Sequence, residues 1–337
     1  ISATDASLTS GSSMNVAGDM TIADALVLDA TGALTVAGTT SANSVAFTSD
    51  STMSITGATS ATTTMNLDSA LLMTVTGDLS AASITATSNA GMTAQGNITG
   101  SNNLVLNAVG AMNVTGNLGS AVIDVNATDS FMLAGNINGT TVTVDSGKAM
   151  SVTGNTVATT LAMTSLDAIT VTGNLTTTST MNLSSVKATA ITGNISASTL
   201  TAVSSDSLAV TGSISATDAS LTSGSSMNVA GNMTIANALT LNSNELMTLS
   251  AQVVANQIVL NANRLSVDSS TLLTASVAQL DLAMGMTQTS SVLQITVDSL
   301  SLAFAGNVTI AQSKALVLTS LISNSGTLSM EVNGDLT

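Results

Sequence analysis

The sequence predicts an all-β protein wound as a parallel β-helix, a β-solenoid with coils of about 19–20 residues. Three observations predict it. A glycine returns at that interval, at Gly18, Gly38, Gly57, Gly77, Gly96, Gly116, Gly135, Gly154, Gly173, Gly193, Gly212 and Gly231. Apolar residues alternate with Thr, Asn, Ser and Ala around it, as in "MNVAGDM", "MTVTGDL" and "ITVTGNL". The prevailing residues, β-branched types with Ser, Asn and Gly, have poor helix propensity.

Each element of the coil follows from its position relative to the glycine. The residue four before it is Met or another apolar type in every coil but one: Met14, Leu34, Met53, Met73, Met92, Met112, Phe131, Met150, Ile169, Leu208 and Met227, with Thr189 the exception. The residue two before it is Val, Ile, Leu or, once, Ala94. The residue two after it is often Met, Leu or Ile, as at Met20, Leu79, Ile98 and Ile214. Alternation with period two places these side chains on one face of a strand. A second alternation follows about eight residues later, as in "LVL" at Leu26–Leu28 and "VIDV" at Val122–Val125. Each coil therefore reads as two or three short strands joined by Ser/Thr/Asn/Gly turns.

The glycine marks a corner where a side chain would crowd the next coil. The residue after it, Asp19, Asp78, Asn97, Asn117, Asn136, Asn155, Asn174, Asn194 or Asn232, is expected to form a ladder. An Asn amide can donate to and accept from the Asn of the next coil; aspartate cannot, and this predicts few Asp in the row. A coil this short cannot hold a core alone, so its stability must come from its neighbours. About seventeen coils at a spacing of about 4.8 Å would extend over roughly 80 Å.

A longer repeat overlies the short one. Ile1–Leu26 recurs as Ile214–Leu239, with only Asp19/Asn232 and Asp24/Asn237 different. The offset spans eleven glycine periods, which reads as duplication of a whole block. Both ends fall in mid-unit, so the chain reads as an excerpt of a longer repeat. Residues 1–243 form the regular coils. From 244 to 337 the pattern loosens, and the glycine equivalents become Ala251, Ser269, the Met284/Gly285 region, Gly306 and Gly334. This stretch is expected to continue the solenoid with irregular coils.

Composition narrows the function. The chain of 337 residues has no Pro, Cys, Trp, Tyr or His and carries 4 basic against 19 acidic residues, a net charge of −15. That charge argues against nucleic acid or an anionic membrane as partner, since both need basic patches. With 44% apolar residues in a periodic arrangement, disorder is not expected. No apolar run is long enough for a membrane helix. A membrane β-barrel would need aromatic girdles, which Phe47, Phe131 and Phe304 cannot supply. The absence of cysteine fits either side of the cell envelope, and the economy of small side chains favours an exported protein.

No chemistry-bearing constellation stands out, and no catalytic, cofactor-binding or metal-ligating residue is assigned. The basic residues Lys148, Lys187, Arg264 and Lys314 are scattered, and Asp124, Asp129 and Asp145 read as solvated charges. The methionine row reads as core, since Met shares its slot with Leu, Ile and Phe. The nonapeptide of calcium β-rolls is missing. "TATS" at Thr85–Ser88 and "TTTST" at Thr176–Thr180 invite an ice-binding reading, but threonine pairs do not fall at one place in every coil. Sequons such as Asn97-Ile98-Thr99 arise from the repeat itself.

The unit "MNVTGNL" followed by "LVL" resembles the coils of filamentous-haemagglutinin-type adhesins, large bacterial exoproteins. The resemblance covers essentially the whole chain. It implies a right-handed β-helix, in keeping with the handedness of parallel connections. It also implies secretion and a role in adhesion or matrix building. The expected function is thus an extracellular fibre or adhesin shaft, not an enzyme, whose partners are other copies of itself, head-to-tail or lateral, and cell-surface or matrix components. The alternatives are a binding module, such as an adhesin tip or phage fibre segment, and an ice-binding protein.

Overall fold

The computed structural model describes residues 1–287 and 292–337. The chain divides into two compact units, Ile1–Asp167 and Ala168–Thr337. Both are β-solenoids. The described residues contain strands, turns and bends and no helix, and every pairing with a stated register is parallel. The described residues build about seventeen coils.

In the first unit each coil carries a short strand at the methionine row. Met53–Ile55, Met73–Val75, Met92–Ala94 and Met112–Val114 are successive examples. Met53 pairs with Met73, Met73 with Met92, Met92 with Met112, and Met112 with Phe131. The alternation read from the sequence is borne out: Met53 and Ile55 are buried, and Ser54 between them faces outward.

The chain then turns at the glycine and enters a long strand. Thr59–Ser69, Leu79–Ser88 and Ile98–Ala108 span ten or eleven residues each. In most coils two of the expected short strands are thus fused. The fusion explains the uneven period. Ser80 pairs with Thr99 while Ser83 pairs with Asn103, so the register steps by one residue between them. The same step lies between Ala42 and Ser44. One bulge therefore absorbs the difference between coils of 19 and 20 residues.

The second unit repeats this plan and then departs from it. Ile214–Ser223 lies between Ile195–Ser204 and the strands Met233–Ile235 and Ala238–Leu249. Val229 pairs with Leu249 and Leu249 with Val267. Ala251 and Ser269 consequently hold the glycine position, as expected. Gly285 and Gly306 do not. Gly285 precedes Met286, which pairs with Leu265 of the methionine row, so it belongs to the corner before that row. Gly306 lies against Met284 and Gly285, and Gly326 against Gly306. All three have positive φ, at +75°, +85° and +89°, a conformation open mainly to glycine. Gly334 lies against Ala315. In this region Val308–Gln312 runs straight where earlier coils turn at the glycine. Period counting could not reveal this exchange of one glycine corner for another.

Candidate functional site

The recurring polar feature is the row after the glycine. Its geometry differs from amide-on-amide stacking. The side-chain oxygen of each residue accepts from the backbone N–H of its equivalent in the next coil. Asn117 N donates to Asn97 Oδ1 at 3.1 Å, Asn136 N to Asn117 Oδ1 at 2.8 Å, and Asn155 N to Asn136 Oδ1 at 2.9 Å. In the second unit Asn194 N donates to Asn174 Oδ1 at 2.9 Å and Gln252 N to Asn232 Oδ1 at 3.0 Å. Side chains also join at Asn117 Nδ2 to Asn97 Oδ1, 2.9 Å. The bond needs only an acceptor, so aspartate serves equally. Asn97 N donates to Asp78 Oδ1 at 2.7 Å and Thr39 N to Asp19 Oδ1 at 2.8 Å. Asp19 and Asp78 thus hold their expected places in the row, as acceptors only. Hydrogen bonds from Thr39, through its side chain and its backbone N–H, hold the Asp19 carboxyl below the usual carboxylate range.

The glycine beside the ladder is required by space. A methyl group on Gly57 would lie 2.1 Å from the Gly38 carbonyl oxygen, and one on Gly116 the same distance from that of Gly96. Neither has positive φ. The coil below forbids any side chain.

A second polar row was missed by sequence reasoning. From the third coil on, the residue four before the methionine row is Ser or Ala in every regular coil: Ser49, Ser69, Ser88, Ala108, Ala127, Ser146, Ser165, Ser185, Ser204, Ser223 and Ser243. These serines are buried. Ser88 Oγ reaches the Leu71 carbonyl of the previous coil at 2.7 Å and the Gly91 carbonyl of its own turn at 2.7 Å. Ser49 does the same with Gly32 and Thr52, at 2.9 and 3.0 Å. Ser204 contacts the carbonyls of Lys187 and Ser207. The hydroxyls sew the corners of successive coils together: the Gly91 and Thr52 carbonyls also accept from the backbone N–H groups of Met73 and Leu34, and each serine ties them to a carbonyl of the previous coil. The signal was present in the sequence but hidden by the abundance of serine elsewhere.

Charged groups converge on no centre. Lys148 Nζ meets Asp129 Oδ2 at 3.0 Å and Lys314 Nζ meets Asp298 Oδ1 at 2.5 Å, both on the surface. Asp124 accepts from Asn126 Nδ2 at 3.1 Å. Asp268 sits in a turn, where hydrogen bonds from the hydroxyl and N–H of Ser270 lower its pKa to about 2. Among the described residues no group of three or more His, Cys, Asp or Glu could hold a metal ion. No helix among them is long and apolar enough to cross a membrane. An open groove of about 710 Å³ runs beside the ladder in the first unit, floored by Leu79, Leu118 and Gly119 and edged by Asn97, Asn117 and Asn136. It is a shallow trough of mixed polar and apolar lining.

The fold and these rows define a β-solenoid repeat protein. No family model, curated protein or solved structure matches the chain.

Proposed function

We propose that this chain is the shaft of an extracellular fibre or adhesin, of the filamentous-haemagglutinin type and bacterial in origin. One observation carries the reading: equivalent residues bond to one another coil after coil, through the asparagine ladder, the serine corner and the methionine core. Such an arrangement adds length without new design, since each coil presents the next with the same partners. The duplicated block, Ile1–Leu26 and Ile214–Leu239, fits growth by copying stretches of shaft. The work is mechanical: extension and display at the cell surface, with other copies of the chain and matrix or surface components as partners, and no catalysis. End-to-end assembly would continue the same ladders. Electron microscopy of the native material tests this. Continuous rods with an axial repeat of about 4.8 Å are expected; isolated globular particles would sink the proposal.

A binding module is the second reading, favoured by the rebuilt corner at Gly285, Gly306 and Gly326. Removing residues 244–337 separates the two. Loss of surface attachment with rods intact would place binding in that region.

A further inference from the structure

The register brings together a threonine-rich face that linear inspection does not reveal. It lies neither at Thr85–Ser88 nor at Thr176–Thr180. In the first unit the outward side chains of the methionine-row sheet stand one and three residues after the Met. They are Ser54 and Thr56, Thr74 and Thr76, Thr93 and Gln95, and Asn113 and Thr115 in four successive coils. Backbone bonds continue through the second column: Thr76 N donates to the Ile55 carbonyl at 2.8 Å and Thr115 N to that of Ala94 at 2.8 Å. Thr56, Thr76 and Thr115 are exposed.

Two independent observations set this face apart from an ordinary solvated one. Its register is unbroken, Met53 to Met73 to Met92 to Met112, whereas the long-strand sheet steps at each of the bulges described above. Its columns therefore run straight. It also excludes charge. The acidic residues of this unit fall elsewhere: on the long strand or its counterpart at Asp29, Asp68, Asp124 and Asp145, at the serine corner at Asp50, Asp129 and Asp167, in the ladder row at Asp19 and Asp78, and between strands at Asp5 and Asp24. The preference of strands for threonine explains hydroxyls on a sheet. It does not explain why the charges of so acidic a chain avoid these columns.

We infer that this face binds ice. Six hydroxyls, on Ser54, Thr56, Thr74, Thr76, Thr93 and Thr115, and two amides, on Gln95 and Asn113, form a polar array with positions about 4.8 Å apart from coil to coil and about 6.7 Å apart along the strand. Those repeats are close to the spacing of water molecules on a prism plane of hexagonal ice. Threonine offers a hydroxyl that both donates and accepts, together with a methyl group. A charge would keep its own hydration shell and spoil the match. The net is interrupted farther on by Met132 and Ala134 and resumes with Ser151 and Thr153.

The test compares the purified chain with the double variant Thr76→Lys/Thr115→Lys and with a control, Thr85→Lys/Thr143→Lys on the long strand. Circular dichroism establishes that each is folded. Partition into slowly grown ice and the shaping of ice crystals are read. The wild-type chain and the control should concentrate in ice several-fold over a non-binding protein of similar size, and the face variant should fall to background. Wild-type partition at background overturns the inference, as does equal loss in the control. So does loss of self-association in the face variant without any ice partition, which would assign the face to a second copy of the chain. The inference does not rest on the shaft reading, because rods and ice adsorption are measured separately.

Discussion

Asn97 and Asn117 are joined twice through one oxygen: Asn97 Oδ1 accepts both the backbone N–H of Asn117, at 3.1 Å, and its Nδ2, at 2.9 Å. The backbone bond recurs along the row, and the side-chain bond is an addition. The ladder is thus a device for satisfying a corner N–H that lacks a strand partner.

Asn136 tests this division. Its Oδ1 accepts from Asn155 N. Asn136→Asp keeps that acceptor and should leave the denaturant midpoint nearly unchanged at neutral pH. Asn136→Ala removes the acceptor and should cost about 1 kcal/mol in chemical denaturation. Equal losses in both variants would refute the acceptor account.

The glycine corner predicts a sharp contrast between near neighbours. Gly116→Ala forces a methyl group against the Gly96 carbonyl and should cost about 3 kcal/mol. At Gly119 the nearest atom to an added methyl is Thr99 Cγ2, 4.0 Å away, and Gly119→Ala should fold normally. Thermal unfolding of the two variants decides it.

At the serine corner, Ser88→Ala should cost about 1 kcal/mol by removing the hydroxyl shared by the Leu71 and Gly91 carbonyls, of which Gly91 keeps its bond from the Met73 N–H. The fold should survive, since Ala108 and Ala127 occupy the same row. Urea titration measures both.

The opposite sign is expected at Thr40 and Thr59. They pair across adjacent coils, both are buried, and neither hydroxyl has a hydrogen-bond partner among the described residues. Thr40→Val or Thr59→Val should stabilise by about 1 kcal/mol, read from the shift in urea midpoint.

Asp268 gives the pH prediction. Its folded pKa is depressed, so its hydrogen bonds stabilise the turn above the usual carboxylate range and are lost as pH falls through about 2. A carbon-detected NMR titration should show the Asp268 carboxyl ionised at pH 3, where ordinary aspartates are mostly protonated.

The glycine and methionine rows were legible because period and alternation bear directly on which side chains point inward. The position of the ladder was legible too, at Asn97 and its equivalents. Its bond was not, because sequence shows a side chain without showing that the neighbouring backbone N–H is the one in need. The serine corner was obscured by composition, since Ser88 looks like any other serine until its burial is known. Beyond Asn244 the exchange of corners defeated counting: Gly306 falls near the expected interval but belongs to the stack of Gly285 and Gly326.

The ladder bonds described above all point one way, with the donor in the later coil and the acceptor in the earlier one. This gives the chain a reading direction. A coil emerging last brings N–H groups to acceptors already fixed in place, so winding that starts at the amino end finds a finished template at each step. Winding from the carboxyl end meets side chains that must be ordered at the same moment as the groups they receive. The fold is thus suited to forming in the order in which its residues are made.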